Sequence, residues 1–494
     1  MTDSSLEKLA NAVLIPPFSG TTAPRWLLDA VEGGLAGVTL FAPNMAAGPQ
    51  ALASLTQALR SAADDVLVAA DEEGGDVTRV WYVTGSPYPG NAALGAVDDE
   101  ALTGQVHAAI GADLAGLGIN LDLAPCLDVL AVPSNPVIGT RSFGSDPALV
   151  ARHGAAAVRG LQSAGVAACA KHFPGHGSTV LDSHDELAVV DGSLSDVIER
   201  DLPPFRVAIA AGVLTVMPGH LRVPGLTGSL PASLSAEAIA LLRGDLGFTG
   251  VIVTDGLEMR AVSDPFGTPG AAVLAVAVGT DLLCLGRDVP EEGYLAVRTA
   301  LCDAVRSGEL PGTRLEEAAD RVAALRARLA GSRTGAPPAR ADGDTEGIGL
   351  RAARRALRLT GQQPELRDPV VIEVEGVLNM AAGDARWGLA GWVPAEDLRR
   401  ITPVPDPGTA VSSALRAAAG RSLILVVRDA HRSPSTQDLV TFVLAERPDT
   451  VLVEMGLPYW QPPAGMYQSY LATYGASRAN AQAAAEFLGL AHAC

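Results

Sequence analysis

The densest chemistry in the chain lies between residues 171 and 184, KHFPGHGSTVLDSH, which holds one of the two lysines, Lys171, and three of the eight histidines, His172, His176 and His184. An ammonium, several imidazoles and the Asp182 carboxylate in so short a stretch can hold an oxygen-rich ligand and move protons near neutral pH. Asp182 and His184 are two residues apart, so in an extended stretch their side chains point the same way and the carboxylate can fix the tautomer of the imidazole. An Asx-turn aspartate beside a surface histidine is the alternative. His172 and His176 have the i,i+4 spacing of a helical metal pair, but Pro174, Gly175 and Gly177 oppose a helix; neither a metal nor a cofactor is expected. Other polar residues end apolar runs: Asp71 and Glu72 in VAADEEGG, Met217 and His220 in VMPGH, and Asp255 in VIVTDG. A polar residue in such a place also serves as a helix N-cap, yet four such places at the same end of one sheet point to a shared pocket.

The elements that must position these groups alternate regularly. Eight short apolar runs (12–17, 37–41, 66–71, 119–125, 166–172, 214–220, 251–255 and 281–286) are separated by amphipathic stretches such as 50–62, 101–117, 147–164 and 194–211. Eight strand–helix units imply an α/β fold with an N-terminal (β/α)8, TIM-like barrel over residues 1–332, whose chemistry belongs at the C-terminal strand ends. A doubly wound open sheet is the alternative, and no GxGxxG turn follows the first run. Residues 333–364, polar and rich in Gly, Pro and Arg at their start, read as a linker. Residues 365–494 read as a smaller C-terminal α/β domain, with strand-like runs at 370–374, 423–427 and 451–454. Arg428, Asp429 and His431 follow the second of these and read as a solvated strand end.

Bulk properties narrow the function. With 36 basic and 55 acidic residues the formal net charge is −19, which argues against nucleic acid or an anionic membrane as partner. No uninterrupted apolar run reaches transmembrane length, and the N-terminus MTDSSLEKLA lacks the pattern of a signal peptide. Five scattered cysteines without a CxxC pair fit a reducing compartment, and a cytoplasmic location is expected. Lys8 and Lys171 are the two lysines in a chain that otherwise uses arginine, so Lys171 is expected to do something specific to an ammonium.

The motifs together resemble family 3 glycoside hydrolases, in particular the β-N-acetylglucosaminidase branch that includes bacterial cell-wall recycling enzymes. KHFPGHG followed by DSH carries the resemblance most specifically; DEEGGDVTR (71–79), NPVIGTRSFGSDP (135–147) and GFTGVIVTDGLEM (247–259) add to it over most of residues 10–330. The resemblance implies a retaining exo-β-N-acetylglucosaminidase (a β-N-acetylhexosaminidase), with Asp255 as nucleophile and His184 as acid/base supported by Asp182. It also implies that Asp71, Arg79, Arg141, Lys171, His172 and Met217 bind the sugar. Retention needs a carboxylate nucleophile and a separate acid/base, and a histidine cycles its proton near neutrality without a raised pKa. The chain departs from the branch at Asp76, where arginine is common, at Ser178, where aspartate is common, at Ala188, where proline is common, and at Gly256, where a second aspartate is usual. The first two put the aglycone preference in question.

The expected partner is a small sugar, an N-acetylglucosaminide or a muropeptide. A phosphorylase on the same scaffold is the runner-up: a histidine acid/base does not repel phosphate as a carboxylate would, so inorganic phosphate could replace water as acceptor. A non-catalytic sugar-binding barrel would require a lost nucleophile or dyad, and both are present.

Overall fold

The computed structural model describes residues 3–181, 186–287, 289–332, 347–376, 381–383, 387–403 and 408–490. They form two compact units. The barrel of the first is built from eight strands, β1 (Leu14–Ile15), β2 (Gly37–Leu40), β3 (Leu67–Ala70), β4 (Leu121–Asp122), β5 (Ala167–Phe173), β6 (Thr215–Pro218), β7 (Val251–Ile252) and β8 (Leu283–Cys284), and a separate short parallel pair, Ala188–Val189 with Leu221–Arg222, lies outside it. Strands β2 to β7 form one parallel sheet in chain order, and β1 pairs in parallel with β8. The circle is completed by a parallel bridge between Val253 and Leu282 and by a hydrogen bond from Thr39 N to Pro16 O at 3.1 Å. Each strand falls at one of the eight apolar runs, because parallel strands covered on both faces are continuously apolar.

The barrel interior is filled by Ile15, Leu67, Ala69, Leu121, Leu123, Ala167, Cys169, Met217, Val251, Val253 and Leu282. Polar ties fix the register. The Asn120 side chain accepts from Val68 N at 2.7 Å and donates to Val66 O at 2.9 Å, joining β3 to the entry of β4. At the entry of β8 the fully buried Asp281 accepts from Ile252 N at 3.0 Å and pairs with Arg314 at 2.7 Å, Arg321 at 3.2 Å and Arg243. Helix Pro147–Ser163 starts where its residues dictate: Pro147 takes the first position and Asp146 accepts from Ala148 N at 2.9 Å. Helix Arg260–Val278, between β7 and β8, is long and apolar enough to cross a membrane by length and composition. Its path breaks at Gly267 (φ 66°, ψ 151°) between Pro265 and Pro269.

The second unit holds Gly74–Asp99, Gly139–Gly144 and the described residues from 347 onward. Its six strands are β9 (Arg358–Gly361), β10 (Val370–Val374), β11 (Leu398–Ile401), β12 (Leu423–Val427), β13 (Val451–Glu454) and β14 (Ser469–Ala472), in the order β9-β14-β13-β12-β10-β11. Alternate residues feed two cores: Val370, Ile372, Leu423, Leu425 and Leu452 on one face, and Val371, Ile424, Val426, Val451 and Val453 on the other. The linker expected over 333–364 is shorter than that. Residues 333–346 lie outside the described residues, but Ile348–Ala356 is a helix and β9 follows it. The helix buries Leu350 and Ala353 against Ala479 and Ala483 and turns its arginines outward, an amphipathic pattern hidden in an arginine-rich stretch.

Candidate active site

In the barrel unit the sites build up from three neighbouring strand ends. Asp71, Glu72 and Glu73 are the first residues after β3, and Lys171 and His172 lie near the end of β5. The Lys171 side chain, 3% exposed, donates to Asp71 Oδ1 at 2.6 Å and to Glu73 Oε1 at 2.8 Å. Asp122, which ends β4, accepts from Glu72 N at 2.9 Å through Oδ1, while its Oδ2 has no partner among the described residues. Burial pushes the Asp122 carboxyl well above the usual range, and the charges of Glu72 and Asp71 push the same way. Lys171 is the counterion to Asp71 and Glu73.

The His172 ring is held by a residue that the sequence did not single out. Asp128 Oδ2 accepts from His172 Nδ1 at 2.7 Å and from the Cys126 thiol at 3.0 Å; Oδ1 accepts the backbone N–H of His176 at 2.6 Å and that of His172 at 3.3 Å. Burial alone would push the Asp128 carboxyl up, but the charge and hydrogen bond of His172, aided by His176 and Cys126, outweigh it and hold the group below the usual carboxylate range. Cys126, Asp128 and His172 are also the one trio among the described residues whose donor atoms, all within 4.8 Å of one another, could hold a metal ion. The protons on Cys126 and on His172 Nδ1 that make these hydrogen bonds are those a metal would displace.

The loop after β5 is shaped by close contacts. A Cβ on Gly177 would lie 1.9 Å from Val129 O, so only glycine fits there. The Asn135 amide donates to His176 O at 2.9 Å and to Thr179 O at 3.0 Å, and its oxygen accepts from Val137 N and Ile138 N. Ser178 is buried, and its hydroxyl has no partner among the described residues. Asp182 and His184, which follow, lie outside the described residues.

Asp255 follows β7 as a half-buried carboxylate whose Oδ1 accepts from Gly256 N at 2.8 Å. Buried His220 braces this turn: Nε2 donates to Gly256 O at 2.9 Å, and Nδ1 faces the Ser233 hydroxyl at 2.6 Å. A carbonyl only accepts, so the proton sits on Nε2. Gly256 itself has a reason. A Cβ there would approach Glu258 Oε2 to 2.4 Å, so Glu258 fills the space that a second aspartate would need.

The remaining sugar-binding candidates divide. Met217 is 3% exposed and packs in the barrel core. Arg79 and Arg141 belong to the second unit. Arg79 Nη2 donates to Ala381 O at 3.0 Å, and the main-chain oxygen of Arg141 accepts from Asn91 Nδ2 at 2.7 Å. Arg428 is not solvated as expected: its side chain is 7% exposed, pairs with Asp76 at 3.0 Å and lies 5.9 Å over the Trp387 ring. Sequence reasoning missed Asp128 because the fourth apolar run ends at Pro125 and the aspartate comes three residues later. Glu73 stood in DEEGG, but nothing in the spacing said which of its carboxylates meets Lys171.

Comparison with known proteins agrees with this architecture. The profile described as glycosyl hydrolase family 3 N terminal domain matches residues 22–325. The chain is 40% identical over 267 residues to the β-hexosaminidase LpqI of Mycobacterium tuberculosis, covering 52% of this chain and 67% of that protein. It is 34% identical over 339 residues to β-hexosaminidase A of Pseudoalteromonas piscicida, 63% of this chain and 56% of the relative, so the match spans little more than half of that enzyme. A solved family 3 β-N-acetylglucosaminidase from Paenibacillus sp. str. FPU-7 superposes with a TM-score of 0.84 at 31% identity, over 98% of this chain and 97% of that one. A family profile over most of the barrel, joined to relatives of one kind, settles the classification: the chain belongs to glycoside hydrolase family 3, in its β-N-acetylglucosaminidase branch.

Proposed function

We propose that this family 3 glycoside hydrolase removes terminal β-linked N-acetylglucosamine with retention of configuration. Asp255 attacks the anomeric carbon, and the glycosidic bond to the leaving oxygen breaks as His184 protonates that oxygen. His184 then takes a proton from water, which attacks the glycosyl-enzyme and frees Asp255. Asp182 stabilises the imidazolium that gives the proton in the first step and is restored in the second. Asp71, Lys171 and His172 hold sugar hydroxyls from the barrel, with Arg79 and Arg141 as further ligands.

The observation that carries this reading is the held constellation at the strand ends. Lys171 is clamped by Asp71 and Glu73, and His172 by Asp128, while Asp255 is left as a partly exposed carboxylate braced through Gly256 by His220. Binding groups locked by their own partners lose little freedom when a sugar arrives. The names of the relatives, β-hexosaminidase and β-N-acetylglucosaminidase, support the same substrate class, and a muropeptide is the natural form we favour. Water rather than phosphate is the acceptor in this reading, because the one charge of Lys171 is already outweighed by the two carboxylates paired with it. The described cysteines form no disulfide, which suits a cytoplasmic site of action.

The test is mass spectrometry of protein quenched in acid during turnover of an aryl β-N-acetylglucosaminide. One N-acetylhexosamine residue on the peptide that contains Asp255 is expected. Turnover without any adduct in wild type or in a slowed His184→Ala variant would overturn the nucleophile assignment.

A further inference from the structure

Asp76 stands where the resemblance leads one to expect arginine, and the second unit is built around it. Its side chain is 3% exposed. Oδ2 accepts from the Thr140 hydroxyl at 2.7 Å and from Arg428 Nη2 at 3.0 Å, and Oδ1 accepts from Ala476 N at 2.9 Å. These donors come from separate segments. Thr140 precedes Arg141, Arg428 follows β12, and Ala476 lies beyond the end of β14. Asp76 itself is three residues before Arg79. One buried carboxylate thus ties the loop bearing Arg79 and the turn bearing Arg141 to two strand ends of the six-stranded sheet.

Neighbouring contacts leave little slack. Gly75 N donates to Tyr88 O at 3.1 Å, and a Cβ on Gly75 (φ 63°) would lie 2.4 Å from Gly90 Cα, so the loop folds tightly on itself next to Asp76. Asn91, the first residue of the helix Asn91–Val97 that follows this loop, holds the Arg141 carbonyl, and Arg79 reaches Ala381 O. The position of both arginines therefore follows from where Asp76 is anchored.

We propose that Asp76, with Arg428 as its partner 352 residues away in sequence, is a positioning residue for sugar binding: it sets Arg79 and Arg141 from the C-terminal sheet. The proposal rests on the sugar-binding roles given above to those arginines. Arginine ligands that grip the sugar equally in ground and transition states act on KM and leave kcat nearly alone.

Kinetics on an aryl β-N-acetylglucosaminide test it with Asp76→Asn, Arg428→Gln, their double variant and the milder Thr140→Val. Each single change at the pair should raise KM at least about tenfold with kcat within about threefold, since displacements of an ångström or less cost this much or more. The double variant should be no worse than the worse single, and Thr140→Val should raise KM several-fold with an unchanged Tm. KM within twofold of wild type in folded variants, or a double effect equal to the product of the singles, would overturn the proposal. Should wild type fail to turn over any β-N-acetylglucosaminide, the function reading fails, and hydrogen exchange then decides this claim alone. Protection lost from both 74–99 and 139–144 in Asp76→Asn supports it; unchanged protection overturns it.

Discussion

Replacing Asp128 by asparagine removes one charge and almost no volume, so its effect isolates what the carboxylate does. Four donors converge on the two oxygens: His172 Nδ1 and the Cys126 thiol on Oδ2, and the N–H groups of His172 and His176 on Oδ1. The asparagine NH2 must face one of these pairs, and both are donors. If it faces the backbone amides, a buried donor is left unsatisfied, which costs about 1–3 kcal/mol. If it faces His172, the charge-assisted bond at 2.7 Å is lost, worth about 1.5–3 kcal/mol, and the ring must move its proton from Nδ1 to Nε2 to accept. About 2.7 kcal/mol on the transition state is about a hundredfold in kcat/KM. The assay is release of an aryl alcohol from its β-N-acetylglucosaminide, with Tm measured on the same samples. A loss of about a hundredfold and a Tm lower by several degrees are expected. An Asp128→Asn protein with kcat/KM within threefold of wild type would refute the reasoning, because the 2.7 Å bond to Asp128 would then not be what sets the His172 ring.

Asp255→Asn keeps the hydrogen bond from Gly256 N but cannot form the ester, so kcat should fall by at least about a thousandfold in folded protein; normal turnover would remove Asp255 from the mechanism. His184→Ala should retain more activity on an activated aryl leaving group than on a natural glycoside, and equal losses on both would count against the acid role. Gly256→Asp should destabilise the protein by about 1–3 kcal/mol because its Cβ would meet Glu258, and adding Glu258→Ala should restore most of the loss, as read from denaturant midpoints. Buried His107 donates from Nδ1 to Thr103 O, and burial lowers its pKa to about 4. Its folded pKa lies below the unfolded one, so its contribution is complete above about pH 6.5 and is lost as pH falls toward 4, by about 3 kcal/mol in all. A His107→Gln protein should lack this acid-side drop, and parallel Tm–pH curves for the two proteins would argue against it.

What could be read from the sequence follows from what burial does to composition. Barrel strands are covered on both faces, so each appears as an apolar run, and all eight were in place. In the second sheet three of the four inner strands, β10, β12 and β13, were visible for the same reason, while the inner strand β14 (SYLA), short and opened by a serine, was not. The edge strands β9 and β11 were not, because RLTG and LRRI place polar side chains along the chain. Asp71, Lys171, His172 and Asp255 could be picked out as candidates because each is a polar residue that interrupts or closes an apolar run. Asp128 and His220 were not, since their significance lies in bonds across elements: one clasps His172 from β4's extension, the other reaches Gly256 from beyond β6. The membership of Arg79 and Arg141 in the second unit was likewise invisible, because both sit in loops inserted between barrel strands and the ties that bind them, such as Asp76 to Arg428, leave no periodic trace.

Retention with water as acceptor is decided by which product forms first, and proton NMR reads that product as it appears. The protein would be incubated with an aryl β-N-acetylglucosaminide in phosphate buffer and, in parallel, in phosphate-free buffer, with spectra taken before mutarotation equilibrates the anomers. Free N-acetylglucosamine should appear first as the β-anomer, at the same rate in both. The α-anomer appearing first, or a sugar 1-phosphate formed only where phosphate is present, would contradict it.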